Sequence, residues 1–344
     1  MNKIYHFLSV GLFALLISCE QKDLFYLDSN NGGSVCPDET THAKVGVDVD
    51  WSLVKEKPVS MTLLAYSDKG YYLREVQSDS LDYGKIYLPL GYSSVMAISD
   101  STTNLHSIYF RKLEKLDEAQ VCALPIEPNS FWYEKYVKDV SLTQQPQNFM
   151  TAVKDSVKIT YDIIDSVRHG VDTTAVRLQP LDCVQSVTIR VRIKNIYRLV
   201  SVEGIISGLA EGYQLKANRP TNTSTAHLIS ADKWKCQLDA KNPMNGCIVC
   251  SFKTFGCPGQ LDFKLGNYDL RLHIQYALDQ KWDDELILDI ENKIIRDGDG
   301  WIIDLTDDYY LDLDELPNDD GNMGDKDESE NGSINVEIDK WKNE

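Results

Sequence analysis

The chain has 344 residues, an apolar content of 42% and a formal net charge of −18 at pH 7. This length suffices for two domains of ordinary size, and the apolar content together with 18 Tyr favours packed cores over disorder. The acidic balance excludes nucleic acid as an expected partner, because binding to a phosphate backbone needs a basic surface.

The first segment of the chain has the pattern of a secretory signal. Lys3 gives a positive start, Phe7 to Ile17 is mostly apolar, and the small Ser18 precedes Cys19. Eleven residues span about 16 Å as a helix, roughly half of a bilayer core, so the segment is too short to be a permanent anchor. It resembles the lipobox of bacterial lipoproteins, which implies that residues 1–18 are removed and that the Cys19 thiol is acylated. An ordinary signal peptide with a nearby cysteine is the alternative.

Residues 19–42 carry the predicted lipid anchor and a polar tether, and residues 43–165 are predicted to form a first β-sandwich. Every second residue from Val45 to Val49 is valine, a period that predicts a half-buried strand. The stretch Met61–Tyr66, a turn, and then Tyr71–Val76 predict a hairpin. Short strands with a turn signal roughly every ten residues are typical of a sandwich or barrel.

Residues 166–178, with one glycine and two threonines, are the predicted linker, and residues 179–344 are the predicted second β-sandwich. The long β-branched run from Val184 to Ile193 opens this domain. Further strands are predicted at Val200–Ser207, Ala226–Ile229, Cys247–Phe255, Tyr268–Ala277, Leu286–Ile290 and Ile302–Leu305. Sustained helical periodicity is scarce, so the predicted fold class is all-β.

The cysteines leave several interpretations open. Seven remain beyond Cys19, and seven cannot all pair within one chain. The run Gly246–Phe252 is typical of a buried strand in which Cys247 and Cys250 fill a core. A disulfide among Cys236, Cys247, Cys250 and Cys257 is an alternative, and so is a zinc site at Cys247 and Cys250, although the second C-x2-C knuckle is missing.

The end of the chain combines an acidic insertion, residues 312–332, with a predicted final strand, residues 333–341. Between Asp312 and Glu330 the net charge is −8, which is too polar to fold by itself. Beyond it, Ile334, Val336 and Ile338 alternate with polar residues up to Trp341. One strand does not persist alone in water, so it is expected to add to a sheet edge in its own domain or in a partner.

No motif of an active site is present. The chain lacks GxSxG, HExxH, a P-loop and a GxGxxG that opens a helix after a strand. Its histidines beyond the signal are scattered and do not pair at metal-ligand spacing. We therefore predict a protein without catalytic residues, metal or cofactor.

Seven short motifs follow one another along the chain: Glu20–Asp23 after the lipobox, Val45–Trp51, Met61–Tyr66, Leu88–Tyr92, Val200–Leu209, Leu313–Pro317 and Val336–Trp341. Their order resembles that of fimbrillin-related lipoproteins of anaerobic, gut-type Gram-negative bacteria. The chain is similar to fimbrillin-associated anchor proteins, a resemblance that implies two tandem transthyretin-like (Greek-key) β-sandwiches. It also implies attachment to the outer membrane through lipid on Cys19, a position at the cell surface, and fimbrial or other surface proteins as partners. Subunits of such assemblies join by donating a β-strand, so Ile334, Val336, Ile338 and Trp341 are the candidate partner strand.

The hypothesis from these observations is an anchor or accessory subunit of a fimbria-like surface assembly. The alternative is a carbohydrate-binding surface lipoprotein for glycan uptake. In that case aromatic side chains would contact sugar rings, and Trp132, Trp234 and Trp282 are the candidates.

Overall fold

The computed structural model describes residues 40–100, 102, 105–126, 141–277, 281–290, 292–298 and 300–313. The predicted lipidation residue Cys19 and the predicted partner strand with Ile334, Val336, Ile338 and Trp341 lie outside the described residues. Both stay predictions. Within the described part, no helix has the length and apolar character needed to span a membrane.

The first half of the described chain consists of short strands and one helix. Their bounds are β1 (His42–Val49), β2 (Met61–Ser67), β3 (Tyr72–Ser78), β4 (Tyr83–Pro89), β5 (Gly91–Ser99), β6 (Ile108–Arg111), β7 (Gln120–Ala123), β8 (Leu142–Thr143), β9 (Met150–Ile159), α1 (Tyr161–Arg168), β10 (Thr174–Leu178) and β11 (Leu181–Asp182). Helix α1 begins after Thr160, whose hydroxyl accepts a hydrogen bond from the Ile163 N–H.

The second half contains strands and three single-turn 3₁₀ helices. The strands are β12 (Gln185–Lys194), β13 (Leu199–Ala210), β14 (Gly212–Gln214), β15 (Arg219–Pro220), β16 (Ser224–Ile229), β17 (Lys235–Leu238), β18 (Gly246–Thr254), β19 (Asp269–Ala277), β20 (Lys281–Asp289), β21 (Ile294–Asp297) and β22 (Gly300–Asp312). The 3₁₀ helices are Ile196–Arg198, Ala231–Lys233 and Phe263–Leu265.

Two sheets form the N-terminal lobe. An outer sheet has the order β10-β1-β4, and a central sheet has the order β11-β9-β5-β2-β3. Val45 and Val47 of β1 point inward and pack with Leu63 of β2 and Ala97 of β5 in one apolar cluster. The valine alternation thus places one face of β1 on this core, as the sequence predicts.

The other face of the central sheet is covered by a bridging sheet with the order β15-β14-β7-β6. Leu64 and Met96 of the central sheet pack here against Tyr213 of β14 and against Phe255, which follows β18. The bridging sheet combines strands from both halves of the chain. It therefore joins the two lobes through a continuous apolar layer.

The C-terminal lobe is a sandwich of two five-stranded sheets. The front sheet has the order β17-β18-β12-β22-β21, and the back sheet has the order β20-β19-β13-β16-β8. Every second residue of β12 from Val187 to Ile193 is buried and contacts the shared core. Strand β22 pairs with β12 in parallel, whereas β18 pairs with it antiparallel.

The predicted fold class, all-β with two β-sandwiches, is confirmed, and the bridging sheet is an addition to it. Three local expectations were wrong. Residues 174–178 of the predicted linker form β10, which pairs in parallel with β1. The predicted boundary between the first sandwich and the linker, after residue 165, falls inside helix α1. Asp312, predicted to begin the acidic insertion, belongs to β22 and is only 5% exposed. Its buried carboxylate is compensated by Lys194 Nζ at 2.6 Å and by a hydrogen bond of 2.8 Å from Asn195 Nδ2.

Candidate functional site

The edges of the C-terminal lobe were the predicted interaction surface, and the structure shows which strands occupy them. The front sheet ends at β17 and β21, and the back sheet ends at β20 and β8. A short connection, residues 230–234, links β16 of the back sheet to β17 of the front sheet. The edge formed by β8 and β16 therefore lies on the same side of the sandwich as the edge formed by β17 and β18. We call this side the seam.

The front-sheet edge of the seam is only partly covered. Strand β17 pairs with residues 246–249 of β18, whereas β18 continues to Thr254. Hydrogen-bonding direction alternates along a strand, and the Lys253 N–H points away from β12 toward Gln145. By the same alternation, the N–H and C=O groups of Ser251 face the seam. The second half of β18 thus presents an edge beyond the reach of β17.

A short glutamine segment, Gln144–Gln147, runs along this edge directly after β8. Gln145 Oε1 accepts a hydrogen bond of 3.4 Å from the Lys253 N–H. Gln147 is fixed to the bridging sheet's end, since its Oε1 accepts from the His106 N–H at 2.9 Å and its own N–H donates to Ser107 Oγ at 2.8 Å. Side-chain amides of this segment therefore occupy the position in which a neighbouring strand would place its backbone N–H and C=O groups.

Between the two edges lies a cleft of about 590 Å³. Its apolar lining comes from Ile126, Leu228 and Phe252, the last being a core residue with 2% exposure. Lys233 and Lys253 line it as well, and none of the described lining residues is Asp or Glu. Lys233 has a carboxylate nearby, at 3.3 Å in Asp232. The cleft is thus apolar at its floor and cationic at its rim, on a chain whose net charge is −18.

The back-sheet edge is held by a buried polar network. Strand β8 pairs with β16 over only two residues of each. Thr143 Oγ1 lies 2.8 Å from His227 Nδ1 and 3.1 Å from Thr225 Oγ1, and Ser141 Oγ donates to Thr225 Oγ1 at 3.2 Å. Burial lowers the pKa of His227 to about 3, so the imidazole is neutral at pH 7. Its Nε2 is buried without a hydrogen-bond partner in the described structure.

Of the three tryptophans considered for sugar contact, only Trp234 has a described side chain. It packs against the core of the C-terminal lobe, and a Cβ added at Gly204 would lie 3.1 Å from its Cζ2. Trp132 and the side chain of Trp282 lie outside the described residues. The Trp234 indole is half-buried and takes part in this packing, so replacing it would also remove core contacts.

The structure distinguishes between the interpretations of the cysteines: Cys247 and Cys250 lie on one strand, and the described cysteines form no disulfide. The predicted run Gly246–Phe252 is part of β18, and Cys250 is 1% exposed on its core side. Cys247 lies on the opposite face of the strand and is half-buried, so the prediction that it fills the core was wrong. Burial raises the pKa of the Cys250 thiol to about 12, which keeps it protonated. The six cysteines in the described part of the chain are free thiols. In the part of the chain that the structure describes, no three His, Cys, Asp or Glu side chains lie close enough together to hold a metal ion.

The seam offers backbone donors and acceptors, an apolar floor and two lysines, which is the chemistry that an extended peptide needs to join a sheet. Sequence reasoning placed the interaction at the edges of this lobe but missed the glutamine segment. The signal that could have found it was local: Pro146 cannot donate to a ladder, and it interrupts a run of glutamines just after the apolar Leu142.

Comparisons with known proteins agree with this fold. A family model described as Domain of unknown function (DUF5119) matches residues 18–229. A solved structure of a candidate adhesin from Bacteroides ovatus aligns with a TM-score of 0.58 at 17% identity, covering 84% of this chain and 99% of that one. At that identity the likeness supports the fold alone. No curated protein matches this chain.

Two further solved structures align less closely. A candidate adhesin from Bacteroides thetaiotaomicron gives a TM-score of 0.43 at 11% identity, covering 70% of this chain and 78% of that one. The fimbrial anchor protein Mfa2 from Porphyromonas gingivalis gives 0.40 at 9% identity, covering 67% of this chain and 76% of that one. The resemblance that the motifs predicted is confirmed as a likeness of fold to the candidate adhesin from Bacteroides ovatus.

Proposed function

This chain belongs to the family described as Domain of unknown function (DUF5119), and we propose that it is a non-enzymatic cell-surface lipoprotein that serves as an anchor or accessory subunit of a fimbria-like assembly. The open seam of the C-terminal lobe is the observation that carries the proposal. A sheet edge of this kind binds an extended segment through main-chain hydrogen bonds, which is how β-strand addition joins two chains. The fold that this chain shares with the candidate adhesin from Bacteroides ovatus is in keeping with a surface role.

Attachment to the outer membrane is proposed to occur through acyl chains on Cys19. Two or more acyl chains hold a protein stably on a bilayer, because each buried methylene contributes about 0.8 kcal/mol. Radiolabelled palmitate fed to cells that express the chain should enter the wild-type protein and should not enter Cys19→Ser. Cys36→Ser is the matched control and should label normally. A wild-type protein without label would remove the anchor from the proposal.

Partner binding is proposed to use the final segment, with Ile334, Val336 and Ile338 as its apolar row and Trp341 at its end. Deleting residues 333–344 should abolish incorporation into surface polymers, measured by immunogold labelling and by size exclusion of extracted material. If both the assembly and the stability of the monomer were unchanged, the segment would have neither an intermolecular nor an intramolecular role.

Substitutions within the segment test whether assembly depends on its apolar side chains or only on the length of the chain. Replacing Ile334, Val336 and Ile338 with Asn should reduce assembly as strongly as the deletion does. The matched control is the opposite face of the same segment, Asn335→Gln, Glu337→Gln and Asp339→Asn, which should leave assembly near wild type. Equal losses from the two sets would show that the segment does not act as a strand with one buried face.

A glycan array tests the carbohydrate alternative on the same purified protein. Saturable binding that disappears in Trp132→Ala or Trp282→Ala, with surface assembly intact, would favour a glycan-uptake role over the anchor. Trp234→Ala does not serve in this test, because it would remove core packing in the C-terminal lobe.

A further inference from the structure

We infer that the seam is the acceptor for this chain's own segment Ser333–Trp341, which takes the place of the Gln145 side chain along the edge of β18. This inference rests on the strand addition proposed above and names its site. It also gives the segment a place in the unassembled chain: the strand returns to its own lobe and covers the seam, and it leaves the seam when it adds to a partner.

The backbone of β18 is the first reason. Ser251 and Lys253 direct their N–H and C=O groups into the seam, past the end of β17. The Lys253 N–H has only the 3.4 Å contact to Gln145 Oε1, which is at the long limit for a hydrogen bond, whereas strand ladders have N···O distances near 2.9 Å. A strand laid along this edge would offer the Lys253 N–H a carbonyl at ladder distance. The long amide contact is therefore a replaceable one.

The pattern of the segment matches the two sides of the cleft. Ile334, Val336 and Ile338 fall on one face of an extended strand, and this face fits the apolar floor made by Ile126, Leu228 and Phe252. The opposite face carries Asn335, Glu337 and Asp339. Its two carboxylates complement Lys233 and Lys253 at a rim whose described lining residues include no carboxylate.

The length of the connecting chain permits the return. The last described residue, Leu313, donates its N–H to Lys194 O at 3.3 Å and thus sits at the far end of β12 from the cleft residue Ser186. Eight residues of strand separate the two ends, about 27 Å. Residues 314–332 number 19 and can span roughly 60 Å when extended. The acidic linker is long enough to bring residue 333 back to the seam.

A peptide-binding experiment tests the site directly. The protein is the chain ending at Gly332, and the probe is a synthetic peptide with the sequence of Ser333–Trp341 that carries a fluorescein at its N-terminus, followed by the fluorescence anisotropy of that label. Saturable binding is expected to the shortened chain. The full-length chain, whose seam is already occupied, should bind the same peptide at least 10-fold more weakly. Equal binding to both chains, or none to the shortened chain, would overturn the inference.

Variants locate the binding on β18. Ser251→Pro removes an N–H that faces the seam and keeps the backbone ladder to β12, and it should weaken peptide binding at least 10-fold. Ser251→Ala, which loses only the 3.0 Å side-chain hydrogen bond to Thr188 Oγ1 of β12, should bind like the parent. Cys236→Pro is the matched control, since the Cys236 N–H faces the outer edge of β17, and it should bind like the parent. Equal weakening by both prolines would place the peptide elsewhere. Gln145→Ala removes the amide that competes for the Lys253 N–H, so it should tighten peptide binding a few-fold. This variant contains no new proline, so its result is independent of any effect of proline on folding.

The fimbrial role and the acceptor site at the seam can be rejected independently. Peptide binding at the seam with no surface polymer in cells would reject the fimbrial role and keep the acceptor site. Surface polymers that form normally with Ser251→Pro and Gln145→Ala, together with no peptide binding, would reject the acceptor site and keep the role.

Discussion

The central sheet of the N-terminal lobe and the seam of the C-terminal lobe differ in how completely their strands are covered. Strand β2 is buried along Met61–Tyr66 because the outer sheet packs on one face of the central sheet and the bridging sheet on the other. At the seam, β8 covers β16 over two residues, and β17 covers less than half of β18. One region is closed on both faces, and the other has an edge held by side-chain amides and hydroxyls.

This difference separates the part of the molecule that holds the fold from the part that can exchange partners. A doubly covered sheet loses apolar contacts on either face when a side chain is truncated, so it tolerates little change. An edge held by a few polar contacts can exchange them for the similar hydrogen bonds of another strand with little loss of free energy. If the comparison is right, mutations should be severe in the central sheet and mild at the seam.

The largest effect is expected in the central sheet. Leu63 and Leu64 are both 0% exposed and face opposite layers. Leu63→Ala and Leu64→Ala should each lower the free energy of unfolding by about 3–5 kcal/mol, because each leaves a cavity in a packed layer. Urea denaturation followed by tryptophan fluorescence measures this loss. Leu73→Ala, at a half-buried position of the same sheet, should cost clearly less, and a similar cost would mean that one layer is loosely packed.

The next effect concerns acid. His227 is buried with its pKa lowered to about 3, whereas an unfolded histidine titrates near 6.5. Between these values the unfolded chain binds the extra proton, so the stability that the neutral imidazole contributes is complete above pH 6.5 and decreases as the pH falls toward 3. The expected slope from this residue is up to about 1.4 kcal/mol per pH unit.

Unfolding free energies measured between pH 4.5 and 7 check this slope. His227→Gln should flatten the curve, and His106→Gln, which changes an exposed histidine, should leave it as in wild type. The described hydrogen-bond partner of the His227 ring is the uncharged Thr143, which in turn bonds to Thr225. A wild-type slope in His227→Gln would assign the acid sensitivity to other residues and separate it from the seam.

The sequence predicted much of the fold, for reasons visible in particular elements. The valines of β1 and the β-branched run of β12 each cover one sheet face, so their period of two was informative. The continuous apolar runs of β2 and β5 also carried the signal of double burial, which was missed. The third layer was hidden because strands β6 and β7 meet β14 and β15 from a distant part of the chain.

The seam was predictable only in outline. Strand β8 has two residues, too few for any period, and Gln145 acts through its side chain rather than through a strand pattern. Strand β10 was mistaken for a linker because Gly170 and the polar residues up to Thr174 are typical of a loop, and because β1, its parallel partner, lies more than 120 residues away in the sequence. Long-range pairing of this kind leaves no local mark.

A smaller effect tests how firmly the two lobes are joined. Arg111 of β6 makes two hydrogen bonds to the Glu211 carboxylate, of 2.7 and 3.2 Å, and Glu211 follows β13 of the C-terminal lobe. A double-mutant cycle with Arg111→Gln and Glu211→Gln should give a coupling energy of about 1 kcal/mol, since the pair is bidentate but partly open to solvent. The exposed pair Lys112–Glu118 is the control, with an expected coupling below about 0.5 kcal/mol. Equal couplings would mean that apolar packing alone joins the lobes.

The smallest effect is expected at the seam itself. Leu228 is half-buried and lines the cleft, so in the chain ending at Gly332 its truncation to Ala should cost less than about 1 kcal/mol. In the full-length chain the returned strand would cover this side chain, and the same truncation should then cost about 1 kcal/mol more, because contact with Ile334, Val336 or Ile338 is also lost. Urea denaturation of the four proteins gives the difference between the two costs. A difference near zero would mean that residues 333–341 do not cover Leu228 in the full-length chain. The seam would then stay open, and it would differ from the covered central sheet in the full-length chain as well as in the shortened one.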